Sequence, residues 1–295
     1  MSITDDIKRT FSSANNLTRL IYINIGVFLF FLIVSVISFL FDNTGIESTI
    51  LRLFAIPASL KVFLLKPWTL ITYMFTHKDI WHILFNMLWL YWFGRIFLDY
   101  LDQRKLVAVY LMGGISGAIV YVLSFNIFPV FTGIVSESVA IGASASVMAV
   151  VIATATYVPD YSIHFFLIGR IRIKYVALAI LILTSFMDFS VNSGGKLAHI
   201  GGALPGFLYI VKLRKGKDPG RRLNSIIDTL VTFFKPRPKM KVTHKKTVTD
   251  YDYNKIKAEH QAKINTILDK ISKGGYDSLT KEEKDMLFRE SQKKN

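Results

Sequence analysis

Apolar residues along this chain gather into runs instead of alternating with polar ones. Five long runs and one shorter one stand out, at 20–41, 81–98, 106–128, 139–158, 173–187 and 197–213. A helix crosses a bilayer with about 20 apolar residues, and about 17 still suffice. The fifth run is short at its apolar core, and Ile163 to Ile168 is its candidate extension. The pattern predicts six transmembrane helices in an all-α polytopic membrane protein. No internal repeat is visible. The first run follows Lys8, Arg9 and Arg19, as a signal peptide would, but "SFLFDNTGIES" after it lacks a small-x-small cleavage site. It reads as a retained helix.

Between the first two runs lies a long loop, 42–80. Its "ILRLFAIPASLKVFLLKPWTLITYMF" is apolar yet broken by Pro57 and Pro67 and dotted with cations. That suits a segment lying on the membrane face, with Trp68 and Tyr73 at headgroup level. A loop with satellite hydrophobic packing fits the same pattern. Past residue 220 the hydropathy collapses. Residues 1–19 read as a cytosolic segment, 20–213 as the bundle, 214–253 as a basic linker and 254–295 as a small cytosolic helical module. In the last, Ile256, Ile264, Ile267, Leu268 and Ile271 suit one helical face. "GGY" then breaks the chain, and Thr280 followed by Glu283 reads as a capping box opening a second helix. The module is therefore expected to be a helical hairpin, with a cytosolic partner as its candidate role.

Composition adds three constraints. At 52% hydrophobic residues and mean hydropathy +0.38 the chain is too apolar for an ordinary soluble domain. The absence of cysteine removes disulfides, thiolate nucleophiles and cysteine-ligated metals. Of the net charge of +15, the residues from Lys212 onward carry +11. Such a tail attracts anionic headgroups or nucleic acid. No nucleic-acid motif accompanies it, so lipid contact or solubility is expected and nucleic acid is not.

Charge also sets orientation, because basic residues beside transmembrane ends favour the cytoplasm. Lys8, Arg9 and Arg19, then Arg104 and Lys105, then Arg170, Arg172 and Lys174, and finally the tail fall on one side. On the other side, 126–138 has no Lys or Arg and 188–196 has only Lys196, while 42–80 is the exception. Both termini are expected in the cytoplasm. The second, fourth and sixth helices then enter from the outer face, and their first turns hold the polar residues of interest. These are His82 and Asn86, Ser144 five residues past Val139, and His199. Taken singly, Ser144 is helix-packing material, Asn86 is interhelical hydrogen-bonding glue and His82 is an interfacial side chain. Ionisable groups inside a membrane are costly unless used, which gives His199 a stronger claim to function.

Together the four make coherent chemistry. Serine needs an adjacent base to become a nucleophile, and neutral imidazole supplies one. A tetrahedral oxyanion needs donors, and His82 and Asn86, four apart, share a helix face. The Ser144 backbone N–H is a third donor, since first-turn N–H groups lack intrahelical partners. No carboxylate lies at this depth, so a Ser-His dyad is expected. Ser146 is about 200° around the helix from Ser144 and cannot face the same imidazole.

At these residues the chain resembles the rhomboid family of intramembrane serine proteases. The matching pieces are "GAS" at 142–144, "HILFN" at 82–86 and "AHIGGALPG" at 198–206, with His77 where many members have a further histidine. The resemblance covers roughly 20–213 and implies a six-helix rhomboid-like bundle. It makes Ser144 the nucleophile, His199 the base, and His82, Asn86 and the Ser144 amide the oxyanion donors. Gly142, Gly202, Gly206 and Met148 become structural supports, with Gly202 and Gly206 letting helix six approach helix four. Substrates would be transmembrane proteins in the lipid bilayer, cut near the outer face of the cell (inner) membrane. No cofactor or metal is implied. Three positions depart from the family: Ala145 for a glycine, Met148 for a tyrosine against the histidine, and Thr69 for an arginine after Trp68. A methionine sulfur still packs on a ring edge, so altered positioning of the histidine is expected. Two other readings share the sequence. A non-proteolytic relative that binds membrane proteins would typically lack the serine or the histidine. A polytopic metalloenzyme or transporter would use His77, His82 and His199, whose spacing and lack of flanking acids argue against it.

Overall fold

Several helix starts in this protein are set by side chains that cap free backbone N–H groups. In the computed structural model, which describes residues 14–165, 169–187, 190, 192–234 and 249–292, Asn15 accepts from the Thr18 N–H to open α1 (Asn16–Leu40). The first loop then folds as α2 (Thr44–Phe54), strand β1 (Ile56–Pro57), α3 (Leu60–Leu65) and α4 (Thr69–Thr72). Asp79 caps α5 (Ile80–Tyr100) through the His82 N–H at 2.8 Å, and Asp102 caps α6 (Gln103–Ile127). Strand β2 (Val139–Ala140) precedes α7 (Ser144–Tyr157). Strands β3 (Ser162–Phe165) and β4 (Gly169–Arg172) precede α8 (Ile173–Ser185). Asn192 caps α9 (Ser193–Arg214), which is followed by α10 (Arg221–Phe234). A second compact unit, within 236–295, holds α11 (Asp250–Gly274) and α12 (Lys281–Gln292).

Each apolar run therefore contains a helix, and the described chain is mostly helical. α1 and α6, at 25 residues each, are long and apolar enough to cross a bilayer; α7 and α8, at 14 and 13 residues, are shorter. Beyond α1 and α9, which start at Asn16 and Ser193, a turn earlier than their apolar runs, three boundaries differ from the sequence reading. The fourth helix begins at Ser144 because Val139 and Ala140 pair, antiparallel, with Pro57 and Ile56. Residues 163–165 do not extend the fifth helix, because they form a strand paired with β4; 166–168 lie outside the described residues. Within the stretch read as linker, 221–234 is a helix, while 235–248 lies outside the described residues.

α7 packs against both α6 and α9, which also pack against each other, and is buried along nearly its whole length. Small residues make that possible. A Cβ on Gly202 would land on the Ala145 carbonyl oxygen and 2.7 Å from its carbon. One on Gly206 would land on the Ala149 carbonyl oxygen, and one on Gly117 would come 2.5 Å from the Ala145 Cβ. α6 and α9 thus both meet α7 at Ala145 and Ala149, and meet each other where Gly117 faces the Ala198 carbonyl. Backbone approach of this kind replaces the hydrophobic driving force that lipid removes.

The first loop is a packed part of this unit. Ala55, Ile56, Ala58, Tyr73, Met74 and His77 are buried. Trp68 donates its indole N–H to the Leu53 carbonyl at 2.8 Å, and the Asn126 amide donates to the Ala58 carbonyl at 2.7 Å. Thr69 is buried and bonds the Lys66 carbonyl at 2.6 Å, so this loop is held without an arginine at that position.

In the second unit the capping box forms. The Thr280 N–H donates to Glu283 at 2.9 Å, and the Glu283 N–H to the Thr280 hydroxyl at 3.4 Å. Ile264, Ile267 and Leu279 are its buried apolar residues, whereas Ile256 and Leu268 are exposed.

Candidate active site

The path into α7 is fixed by the first loop. The Ala58 N–H donates to the Ser138 carbonyl at 2.9 Å, and the Gly142 N–H to the Tyr73 carbonyl at 2.9 Å. The Ala143 N–H donates to His77 Nε2 at 3.2 Å. Burial, aided by the neighbouring His82 ring, pushes the His77 imidazole down to about 3. A neutral ring keeps its Nε2 lone pair for that bond, so His77 positions the turn and the lone pair is not free for a metal. Gly142 has φ +119°, a region that side chains rarely enter. A Cβ there would also fall 2.6 Å from His82 Cε1 and 2.8 Å from its Nε2. Glycine is required on both counts, and the His82 ring lies against the turn that presents Ser144.

Ser144 is the first residue of α7, not one well inside it. The first bond of the helix ladder runs from the Val147 N–H to the Ala143 carbonyl at 2.9 Å, so the Ser144 N–H has no intrahelical partner. Ser146, two residues on, is turned into the core, 3.7 Å from the Met74 sulfur.

His199 is the seventh residue of α9, deeper than the first turn expected from sequence, because the Asn192 cap starts that helix at Ser193. Its Nδ1 lies 3.1 Å from the Thr184 carbonyl oxygen, in the last turn of α8. A carbonyl only accepts, so Nδ1 carries the hydrogen and Nε2 presents a lone pair. The last carbonyls of a helix lack intrahelical donors and form the negative end of its dipole. They stand where a carboxylate would stand in a triad.

Ser144, His199, His82 and Asn86 line one cavity of about 550 Å³, together with Trp81, Phe85, Trp89, Thr184 and Asn192. Among the described residues no hydrogen bond joins the Ser144 hydroxyl to His199; such bonds often tighten only when substrate is bound. The Asn86 carboxamide nitrogen is occupied, 2.8 Å from the His82 carbonyl and 3.4 Å from His77 Nε2. Met148 is buried and is not among the residues lining the cavity. Sequence reasoning missed Thr184, whose contribution is a backbone atom, and the turn-holding roles of His77 and Tyr73. A family pattern had pointed to His77 without giving it a task.

Comparison with known proteins places this geometry. A rhomboid domain matches residues 65–216, just over half of the chain, and a family of unknown function (DUF6576) matches 247–293. The chain is 32% identical over 178 residues to the presenilin-associated rhomboid-like protein, mitochondrial, of Mus musculus, covering 56% of this chain and 42% of that one. It is 30% identical over 178 residues to the protein of that name from Homo sapiens, with the same coverage of 56% and 42%. It is 27% identical over 159 residues to the RHOMBOID-like protein 12, mitochondrial, of Arabidopsis thaliana, covering 50% and 47%. The chain spans less than half the length of these curated relatives. Motifs on three helices, a buried small-residue helix packed against two others and a domain match over 65–216 lead to one conclusion. This chain is a membrane protein of the rhomboid family.

Proposed function

We propose that this protein is an intramembrane serine endopeptidase that cuts transmembrane proteins near the outer membrane face. One observation carries the reading: a single cavity is lined by a serine at a helix N-terminus and by an imidazole aimed by a backbone carbonyl. Ser144 Oγ attacks the scissile carbonyl carbon as its proton moves to His199 Nε2. The imidazolium so formed is stabilised by the Thr184 carbonyl and the C-terminal end of α8. The oxyanion takes hydrogen bonds from the Ser144 N–H and from His82. Asn86 keeps one carboxamide N–H on the His82 carbonyl and joins them by turning its second N–H from His77 Nε2, so it both holds the site at rest and is a reserve donor. His199 passes its proton to the leaving amine, and water, deprotonated by the same imidazole, releases the acyl group from Ser144.

The same reading has α1, α5, α6, α7, α8 and α9 all cross the bilayer, in the cell (inner) membrane, with both termini cytoplasmic. The basic residues at 8–19, 104–105, 170–174 and beyond 212 support that orientation. It also sets depth. The 14 residues of α7 make a rod of about 21 Å, while the hydrocarbon core is about 30 Å thick. If Tyr157 reaches the inner boundary, Ser144 lies roughly 10 Å beneath the outer one. A substrate helix must unwind there, because an intact helix keeps its carbonyls bonded and hidden. Resemblance to the family adds a small residue at the cleaved bond.

The test is labelling of purified protein by a fluorophosphonate probe. Wild type is expected to label and Ser144→Ala to remain unlabelled. A wild-type protein that is folded but never labels would favour the alternative, a rhomboid-like factor that binds membrane proteins without cutting them. Donor removal should slow turnover without abolishing it. One lost oxyanion donor costs about 100- to 1,000-fold in a soluble serine protease. His82→Ala is expected to approach that loss, and Asn86→Ala to lose less. Unchanged turnover in Asn86→Ala with a large drop in melting temperature would make Asn86 structural only.

A further inference from the structure

Past the last apolar run the chain does not simply leave the membrane. α10 follows α9 after six intervening residues and is tied back to the bundle twice. Gly220 lies so close to α6 and α9 that a Cβ would fall 2.7 Å from the Ala108 Cβ and 2.9 Å from the Tyr209 hydroxyl. Eight residues on, Asp228 accepts from Arg104, the second residue of α6, at 3.3 Å. Some 12 Å of helix separates the two ties. Ala108 and Arg104 lie four residues apart, about 6 Å along α6, so α10 departs from the end of the bundle where α6 begins and α9 ends.

Its two sides differ. Asn224, Asp228 and Thr232 follow one another at helical spacing on one side. On the other side Ile226, Leu230 and Phe233 are 57%, 56% and 80% exposed. Arg221, Arg222, Lys215 and Lys217 are exposed at its start. A helix with large apolar residues on one face and cations beside it lies flat in the headgroup region. Cations near an anionic leaflet add attraction.

We propose that α10 is an interfacial anchor. Ile226 and Leu230 enter the acyl-chain boundary of the leaflet at which α9 ends, and Arg221, Arg222, Lys215 and Lys217 bind anionic phospholipid headgroups. The inference rests on the membrane embedding argued above, not on proteolysis.

The chain has no cysteine, so single labels report cleanly. Full-length Leu230→Cys, Thr232→Cys and Leu29→Cys are each labelled with an environment-sensitive dye. They are placed in nanodiscs of phosphatidylcholine with or without phosphatidylglycerol. Leu29, an exposed apolar residue of α1, is the membrane control. The Leu230 label is expected to be quenched by doxyl-lipids and shielded from iodide, and the Thr232 label the reverse. Lipid quenching at Leu230 is expected to fall without phosphatidylglycerol and in Arg221→Gln/Arg222→Gln, since each basic residue is worth about fivefold in partitioning. Quenching at Leu29 but iodide access at Leu230 overturns the anchor and leaves the membrane embedding intact. Shielding at Leu230 without lipid quenching also overturns it, and means that protein covers this face, as a second copy or residues 249–292 would. Absence of lipid quenching at both positions overturns the anchor and the embedding together. Lipid quenching at Leu230 that ignores headgroup charge overturns the role of the four cations.

Discussion

Ser144→Ala and His199→Ala, each alone, are expected to abolish cleavage of a transmembrane reporter while expression and membrane insertion stay at wild-type levels. The Ser144 hydroxyl makes no hydrogen bond among the described residues, so its removal costs the fold little. His199→Ala gives up the bond to the Thr184 carbonyl, a loss of about 1 kcal/mol of stability. The chemical loss is far larger. Deleting the serine or the histidine of a soluble serine protease lowers turnover on the order of 10⁶-fold. Rates of purified protein in detergent, with melting temperatures alongside, separate the two effects. Full turnover in Ser144→Ala would end the protease reading. Retained turnover there with loss in Ser146→Ala would mean that the other serine reacts, against its position beside Met74.

Gly202→Leu should fail in a different way, losing stability and activity together. A leucine Cβ at that position overlaps the Ala145 carbonyl oxygen, and backbone cannot rotate aside as a side chain can. Overpacking commonly costs about 1–3 kcal/mol even where neighbouring side chains yield. α9 must therefore back away from α7, carrying His199 from Ser144. Thermal unfolding in detergent and reporter cleavage are expected to fall in parallel. A Gly202→Leu protein that melts like wild type yet is inactive would show that this glycine serves something other than close helix contact.

What could be read from sequence divides along physical lines. Long apolar runs disclose helices because a single segment in lipid satisfies its own backbone groups only as a helix. Orientation by charge leads one to expect Ser144, His199, His82 and Asn86 at comparable depth, and one cavity is lined by all four. Two-residue strands carry no period, so the β1–β2 pairing that starts α7 at Ser144 was invisible. The glycines of "GGISGA" on α6 went unremarked because glycine is common in membrane helices. Only the facing Ala145 and Ala149 give Gly113 and Gly117 a task. α10 was missed because basic flanks masked the apolar side of "RRLNSIIDTLVTFF". The depth of His199 was misjudged by one turn, since Asn192 starts α9 earlier than hydropathy does.

The acceptor that aims His199 belongs to no side chain. It is the peptide oxygen of Thr184, present whichever amino acid is encoded there. A saturation scan of that codon would score the position as tolerant, although it orients the proposed base. Only a change in the path of the main chain can remove the oxygen from His199. Comparing residue identities among relatives would overlook it for the same reason, since the oxygen is placed by the path of the α8 terminus and not by a letter.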